Sequence, residues 1–125
     1  PICADTIVAA GRRILGQAED GETAARFLKL LSGRRHRVLG GVSVIAPDGR
    51  RASRLVETSV TFQRLTGKEI ATYLDTGEWR GKAGAYGIQG YAARFVRQLR
   101  GSHSNVVGLP IYETVRLLQG LGYRG

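Results

Sequence analysis

Methionine is absent from this 125-residue sequence, and cysteine and tryptophan occur once each, as Cys3 and Trp79. A lone thiol closes no internal disulfide and makes no metal centre. Cys3 is therefore expected as a small buried residue in a reducing, cytoplasmic setting. Long apolar runs are also missing. None approaches the roughly 20 residues that cross a bilayer, and no basic-then-apolar leader opens the sequence, so neither a membrane partner nor export is expected. Histidine is limited to His36 and His103. With Cys3 they match no zinc-ligand spacing, and His103, between two serines, has no clear acidic partner for hydrolase chemistry. Acids are scarce, with 10 Asp+Glu against 19 Lys+Arg and a net charge of +9. That imbalance points to a polyanionic partner. The cations, however, come as Arg12-Arg13, Arg34-Arg35-His36-Arg37, Arg50-Arg51 and then singly. This scatter fits a solvated surface better than a groove for nucleic acid, and no aromatic stacking motif accompanies it.

What is present reads as one α/β domain, residues 1–125. The apolar fraction of 42% argues against disorder. Ile2 to Ala9 is a β-branched apolar stretch interrupted by Asp5-Thr6, expected as a buried strand. Asp20 to Leu31 carries Ala24, Phe27, Leu28 and Leu31 at helical spacing, with Gly33 as terminator. His36 to Ala46 and Arg54 to Leu65 flank Pro47-Asp48-Gly49-Arg50, which predicts an antiparallel hairpin. Thr66 and Glu69 spell a capping box for a helix with Ile70, Tyr73 and Leu74 on its apolar side and Gly77 at its end. Phe95 to Leu99 is read as a strand and Gly101 to Asn105 as a polar turn. Pro110 opens a last helix ending at Gly120 or Gly122.

The densest signal is Gly81-Lys82-Ala83-Gly84-Ala85-Tyr86-Gly87-Ile88-Gln89-Gly90, with glycine at every third position. Four glycines in ten residues exclude a helix interior, at about 1 kcal/mol each against alanine, and a strand as well. Such backbone turns sharply or approaches something closely. The cation, aromatic and amide between the glycines suit a phosphate, a flat ring and a base edge. An ordinary glycine-rich surface loop explains the spacing equally well. Two phosphate-binding patterns fail. Gly77 to Ala83 is one residue short of a Walker loop and lacks its hydroxyl, and no Gly-x-Gly-x-x-Gly joins a strand to a helix. Among the acids, Asp20, Glu22, Asp48 and Glu69 have structural roles at helix starts and turns. Asp5, inside an apolar strand, does not. Either it pairs with an arginine, or it serves a metal or an attacking water.

Taken in order, several segments resemble one family. They are Ala4-Asp5-Thr6-Ile7-Val8, Leu31 to Val38, Glu57 to Phe62, Tyr73 to Glu78, Lys82 to Gly90, and Gly101 to Pro110. Nearly the whole chain resembles the Maf family of nucleoside triphosphate pyrophosphatases. The resemblance implies a Maf/ITPase-like α/β fold, with a mixed, largely antiparallel twisted sheet flanked by helices. It implies hydrolysis of a nucleoside triphosphate to the monophosphate and pyrophosphate, with Mg²⁺ or Mn²⁺ as cofactor and water attacking the α-phosphoryl group. Asp5 matches the family's catalytic base and metal-binding acid. Thr6 and Gln89 match the positions that mark the dTTP/UTP branch. Lys82, Gln17 and Gly84 fall at phosphate- or nucleotide-binding positions, and family members often pair as homodimers.

The chain departs from the family's pattern in places. Gln17-Ala18 stands where Lys-Pro is usual, removing a cation that would stabilise phosphate charge. Trp79-Arg80-Gly81 replaces the usual Leu-Asp before Lys82. The family's Ser-x-x-Arg-Arg loop is not in this sequence, which opens on Pro1 as a strand already under way. An upstream segment is therefore expected, and without it the chain is expected to be inactive. The alternative from another class is a non-catalytic nucleotide- or nucleic-acid-binding module.

Overall fold

A computed structural model describes residues 2–121. Five strands, β1 (Ile2–Ala10), β2 (Arg13–Leu15), β3 (Arg35–Ile45), β4 (Arg51–Phe62) and β5 (Val96–Arg100), form one sheet in the order β2-β1-β3-β4-β5. Every pairing among them is antiparallel. Four helices accompany the sheet: α1 (Gly21–Leu31), α2 (Gly67–Asp75), α3 (His103–Val107) and α4 (Ile111–Gly120). A 3-10 turn, Tyr91–Phe95, leads into β5. Among the described residues no helix is long and apolar enough to cross a membrane.

Local chemistry sets these boundaries. The Asp20 carboxylate accepts from the Thr23 amide at 2.7 Å and starts α1. Thr66 and Glu69 form the expected reciprocal box at the start of α2. Between β3 and β4 the chain reverses through Gly49 at φ +88°, while Asp48 accepts from the Arg50 amide. The segment read as a polar turn is a helix instead. Ser102 caps it by accepting from the Asn105 amide at 3.1 Å, and five residues are too few to show helical periodicity in the sequence. Strand β2 was not anticipated either; three residues carry too little pattern. An end for α4 at Gly122 lies outside the described residues.

Burial alternates strictly along β3, with His36, Val38, Gly40, Val42 and Val44 inward. In register with them lie Thr6 and Val8 of β1 and Val60 of β4. This face carries the helices. One core joins Val8, Val38, Val60 and Phe62 to Leu28 and Leu31 of α1 and to Ile70 and Tyr73 of α2. A second, smaller core joins Val42 and Val44 to Leu117 of α4. The other face, with Cys3, Asp5 and Ile7 of β1 and Leu55 of β4, is largely exposed. Two expectations are thereby corrected: Cys3 is exposed, and β1 is buried only around Val8 and Ala9. For Cys3 and Asp5 the cause is the pleat, which sends them to a face that no helix covers, while Ile2 and Ala4 are exposed on the face of Thr6 and Val8.

Helix α3 is fastened to the sheet by Asn105 and by Thr58, whose hydroxyl accepts from the Ser102 amide and donates to the Ser102 carbonyl. The fully buried Asn105 donates to the carbonyls of Val38 and Val56 at 3.1 and 3.0 Å. Its amide oxygen rests where a side chain at Gly40 would stand. Gly40→Ala should therefore cost about 2–3 kcal/mol through overpacking. Since Asn105 is the obstacle, Gly40→Ala/Asn105→Ala should cost less than the two single variants added together. Urea unfolding of the four proteins checks this.

Candidate functional site

The Gly81–Gly90 segment crosses the helix-bearing side of β1 and borders a cleft of about 560 Å³, within the range of small-ligand sites. The cleft floor and far wall are apolar: Val8 and Val38 from the sheet, Tyr86 and Ile88 from the segment, Val106 and Val107 from α3. Its polar lining comes from Thr6, Glu78, Arg80, Lys82 and Gln89. An apolar slot beside two cations accommodates a flat ring and an attached anion.

The segment has little regular structure, so its neighbours hold its shape. The Tyr73 hydroxyl donates to the carbonyl of Ala85 at 2.8 Å. Ala85 is buried and is the only non-glycine among the described residues with positive φ, at +69°. Gly81 and Gly84 take similar left-handed values. At Gly84 a Cβ would also lie 2.9 Å from a Val8 methyl, and its amide donates to the Gly16 carbonyl. Gly87 and Gly90 need no left-handed backbone. A Cβ at Gly87 would press within 3.2 Å of the Lys82 stem, and one at Gly90 within 2.5 Å of the Glu78 carboxylate. Trp79 closes the far end of α2 by donating its indole N–H to the Leu74 carbonyl, and Arg80 lies over its ring at 4.8 Å.

Behind the segment, Tyr86 meets His36, with Nε2 and the hydroxyl 2.6 Å apart, and both rings pack edge-on against Phe62. Burial lowers the His36 pKa to about 4 and raises that of Tyr86 well above its ordinary value. Burial, assisted by the Glu78 charge, lifts Tyr73 to about 12, so its hydroxyl remains a donor.

The structure brings Thr6, Lys82 and Gln89 together in the cleft lining. Asp5, Gln17 and Gly84 are not part of that lining. Gln17 is exposed and pairs with Ala83 through an isolated antiparallel bridge. Asp5 corrects the expectation of a buried acid: it is exposed, and its carboxylate accepts from the Thr6 amide at 2.9 Å. Strand alternation points Thr6 into the cleft and Asp5 toward the uncovered face. Sequence reasoning gave no role to Glu78, Val106 or Val107. Only the resemblance included them, because their approach to the cleft depends on tertiary packing.

Among the described residues no group of three or more His, Cys, Asp or Glu side chains could hold a metal ion. Asp5 is the carboxylate that the resemblance assigns to the metal. A hard divalent cation would draw most of its oxygen ligands from elsewhere, as from the phosphates of a bound nucleotide.

With this geometry in view, the comparison with known proteins is specific. Residues 1–121 match the family described as Maf-like protein. The chain belongs to the Maf family. It is 61% identical to a dTTP/UTP pyrophosphatase of Paramagnetospirillum magneticum, over 98% of this chain and 64% of that protein. It is 59% identical to a dTTP/UTP pyrophosphatase of Caulobacter vibrioides over the same shares. With that of Rhodospirillum rubrum the identity is 58%, over 98% of this chain and 59% of the relative. The chain thus spans about six tenths of the length of these Maf relatives.

The buried His36 makes the Maf site sensitive to acid. In the unfolded chain the imidazole binds a proton near pH 6.5, whereas the folded protein resists until about pH 4. Between those values the unfolded state holds more protons, so stability falls as pH drops from about 6.5 to 4. The shift corresponds to about 3 kcal/mol. Urea midpoints at pH 7.5 and 4.5 should show this loss in the native protein and a flatter response in His36→Gln.

Proposed function

We propose that this Maf protein serves a nucleoside triphosphate pyrophosphatase that converts dTTP, UTP or related nucleotides to the monophosphate and pyrophosphate. The observation that carries this reading is the shared cleft lining of Gln89, Lys82 and Thr6 beside an apolar slot. A uracil or thymine edge offers both a donor and an acceptor, and the Gln89 amide can answer both. Tyr86, Ile88 and Val106 give the ring an apolar surface. Lys82 and Arg80 lie where the phosphates would need positive charge. Support for the substrate class comes from the 58–61% identity to proteins named dTTP/UTP pyrophosphatases.

In this reading the base enters between the glycine segment and α3, and the triphosphate runs past Thr6 toward the edge of β1. Asp5, next along the strand and exposed on the face opposite Thr6, is the general base that the resemblance implies for the water that attacks the α-phosphoryl group. The divalent cation, Mg²⁺ or Mn²⁺, arrives with the triphosphate as part of the substrate. Residues 1–125 then constitute the larger part of one Maf-like domain in a cytoplasmic protein that forms homodimers.

A second reading, a non-catalytic nucleotide-binding module, draws on two observations. Asp5 lies outside the cleft lining, and Gln17 leaves the nearby β2–α1 connection without a cation. Pyrophosphate release from dTTP and UTP with Mg²⁺ or Mn²⁺, measured on the full-length protein, separates the two. The enzymatic reading expects turnover, a loss of about 100-fold or more in kcat for Asp5→Asn with little change in KM, and a gain for Gln17→Lys. Binding without turnover establishes the module. Full activity in Asp5→Asn removes that acid from the reaction.

A further inference from the structure

The amide that would read the base sits eleven positions after the residue that holds the adjoining backbone. We infer that Glu78 is a positioning residue for Gln89: its carboxylate clamps Gly90 and Tyr91, and so holds the Gln89 amide at the height of the bound base. This rests on the proposed nucleotide site and adds to it a residue that determines recognition.

Three observations carry the inference. One Glu78 oxygen accepts from the Tyr91 amide at 3.0 Å, at the start of the 3-10 turn that ends the glycine segment. The other lies against Gly90, close enough that a Cβ there would stand 2.5 Å away. Gly90 itself has φ −99° and ψ −147°. Glycine at this position leaves the room that the carboxylate occupies. Gln89, immediately before the clamped pair, is exposed in the cleft lining and makes no hydrogen bond of its own among the described residues. Ile88 anchors its main chain on one side, a turn hydrogen bond from the Gly90 amide to the Gly87 carbonyl spans it at 3.3 Å, and Glu78 holds the other side. Glu78 stands at the cleft too, but an acid is poorly suited to receive a triphosphate, and its hydrogen bond to the Tyr91 amide gives it a different task.

Gly90→Ala should expel the carboxylate and reproduce the loss of Glu78, since the flexible acid is what must move. The test measures dissociation constants by calorimetry for two probes, a non-hydrolysable α,β-imido analogue of UTP and inorganic tripolyphosphate. Their ratio isolates the contribution of the nucleoside. Glu78→Ala and Gly90→Ala should each lower that ratio about tenfold, the equivalent of losing the paired amide contacts, and leave tripolyphosphate affinity within about twofold. The double variant should be no worse than either single one. Glu78→Gln, which keeps an acceptor for the Tyr91 amide, should retain the native ratio. Trp79 fluorescence and the thermal midpoint report whether each variant is folded, and Gly90→Ala serves if Glu78→Ala is not.

The clamp is overturned if Glu78→Ala keeps the native ratio, if it lowers both affinities equally, or if Glu78→Gln behaves like Glu78→Ala, which would assign the charge itself a role. Gln89→Ala separates this from failure of the underlying site. If that variant leaves the ratio unchanged, the assignment of Gln89 to the base is wrong. If it lowers the ratio and Glu78→Ala does not, only the clamp is wrong.

Discussion

The hydroxyl of Tyr73 reaches from α2 to the carbonyl of Ala85, and the cleft takes its shape around that bond. Ala85 is held with a positive φ, which costs an L-residue about 1–2 kcal/mol unless its surroundings enforce it. The bond turns the next residue, Tyr86, inward to His36 and the one before, Gly84, onto Val8. A tyrosine whose pKa is raised by burial remains a donor throughout the physiological range, so the restraint does not titrate away. Helix α2 thereby transmits the rigidity of the core to a segment that has little of its own.

The period of three along Gly81–Gly90 is not one motif with one cause. Gly81 and Gly84 satisfy backbone geometry that side chains disfavour. Gly87 and Gly90 instead leave room for the Lys82 stem and the Glu78 carboxylate. The first pair bends the chain around the end of β1. The second pair lets two charged side chains of opposite sign lie against the main chain while their ends reach the cleft. Spacing alone could not divide the glycines this way, because the deciding atoms belong to residues five and twelve positions earlier.

What could be read in advance follows the range of the interaction. Asp20 and the Thr66–Glu69 box act within three residues, and so does the Asp48–Gly49 turn; each was visible in the sequence. The β3–β4 hairpin was visible because a strong turn signal, Pro47 to Arg50, separates two strand-like stretches. Strand β1 misled because an apolar composition was taken as burial, when burial depends on which face receives helices; Asp5 and Cys3 lie on the other one. The Asn105–Gly40 contact spans 65 residues, and nothing in the local pattern around either position announces it. Within the cleft, Lys82 and Gln89 stood out in the glycine segment itself and Thr6 through the family resemblance, whereas Glu78 and α3 required the fold.

The replacement of the family's usual lysine by Gln17 bears differently on shape and on charge. Gln17 meets Ala83 through main-chain pairing, and the neighbouring Gly16 carbonyl accepts from Gly84. Main-chain bonds do not depend on which side chain stands at position 17, so the segment stays seated on the β2–α1 connection with glutamine as with lysine. What changes is the field beside Lys82. An amide there offers hydrogen bonds but no charge to a developing negative phosphate. Binding relies on the shape of the cleft, the apolar slot and the remaining cations. A charge-stabilised transition state relies on the full set of cations. On the proposed function, the substitution therefore weighs on the chemical step more than on recognition.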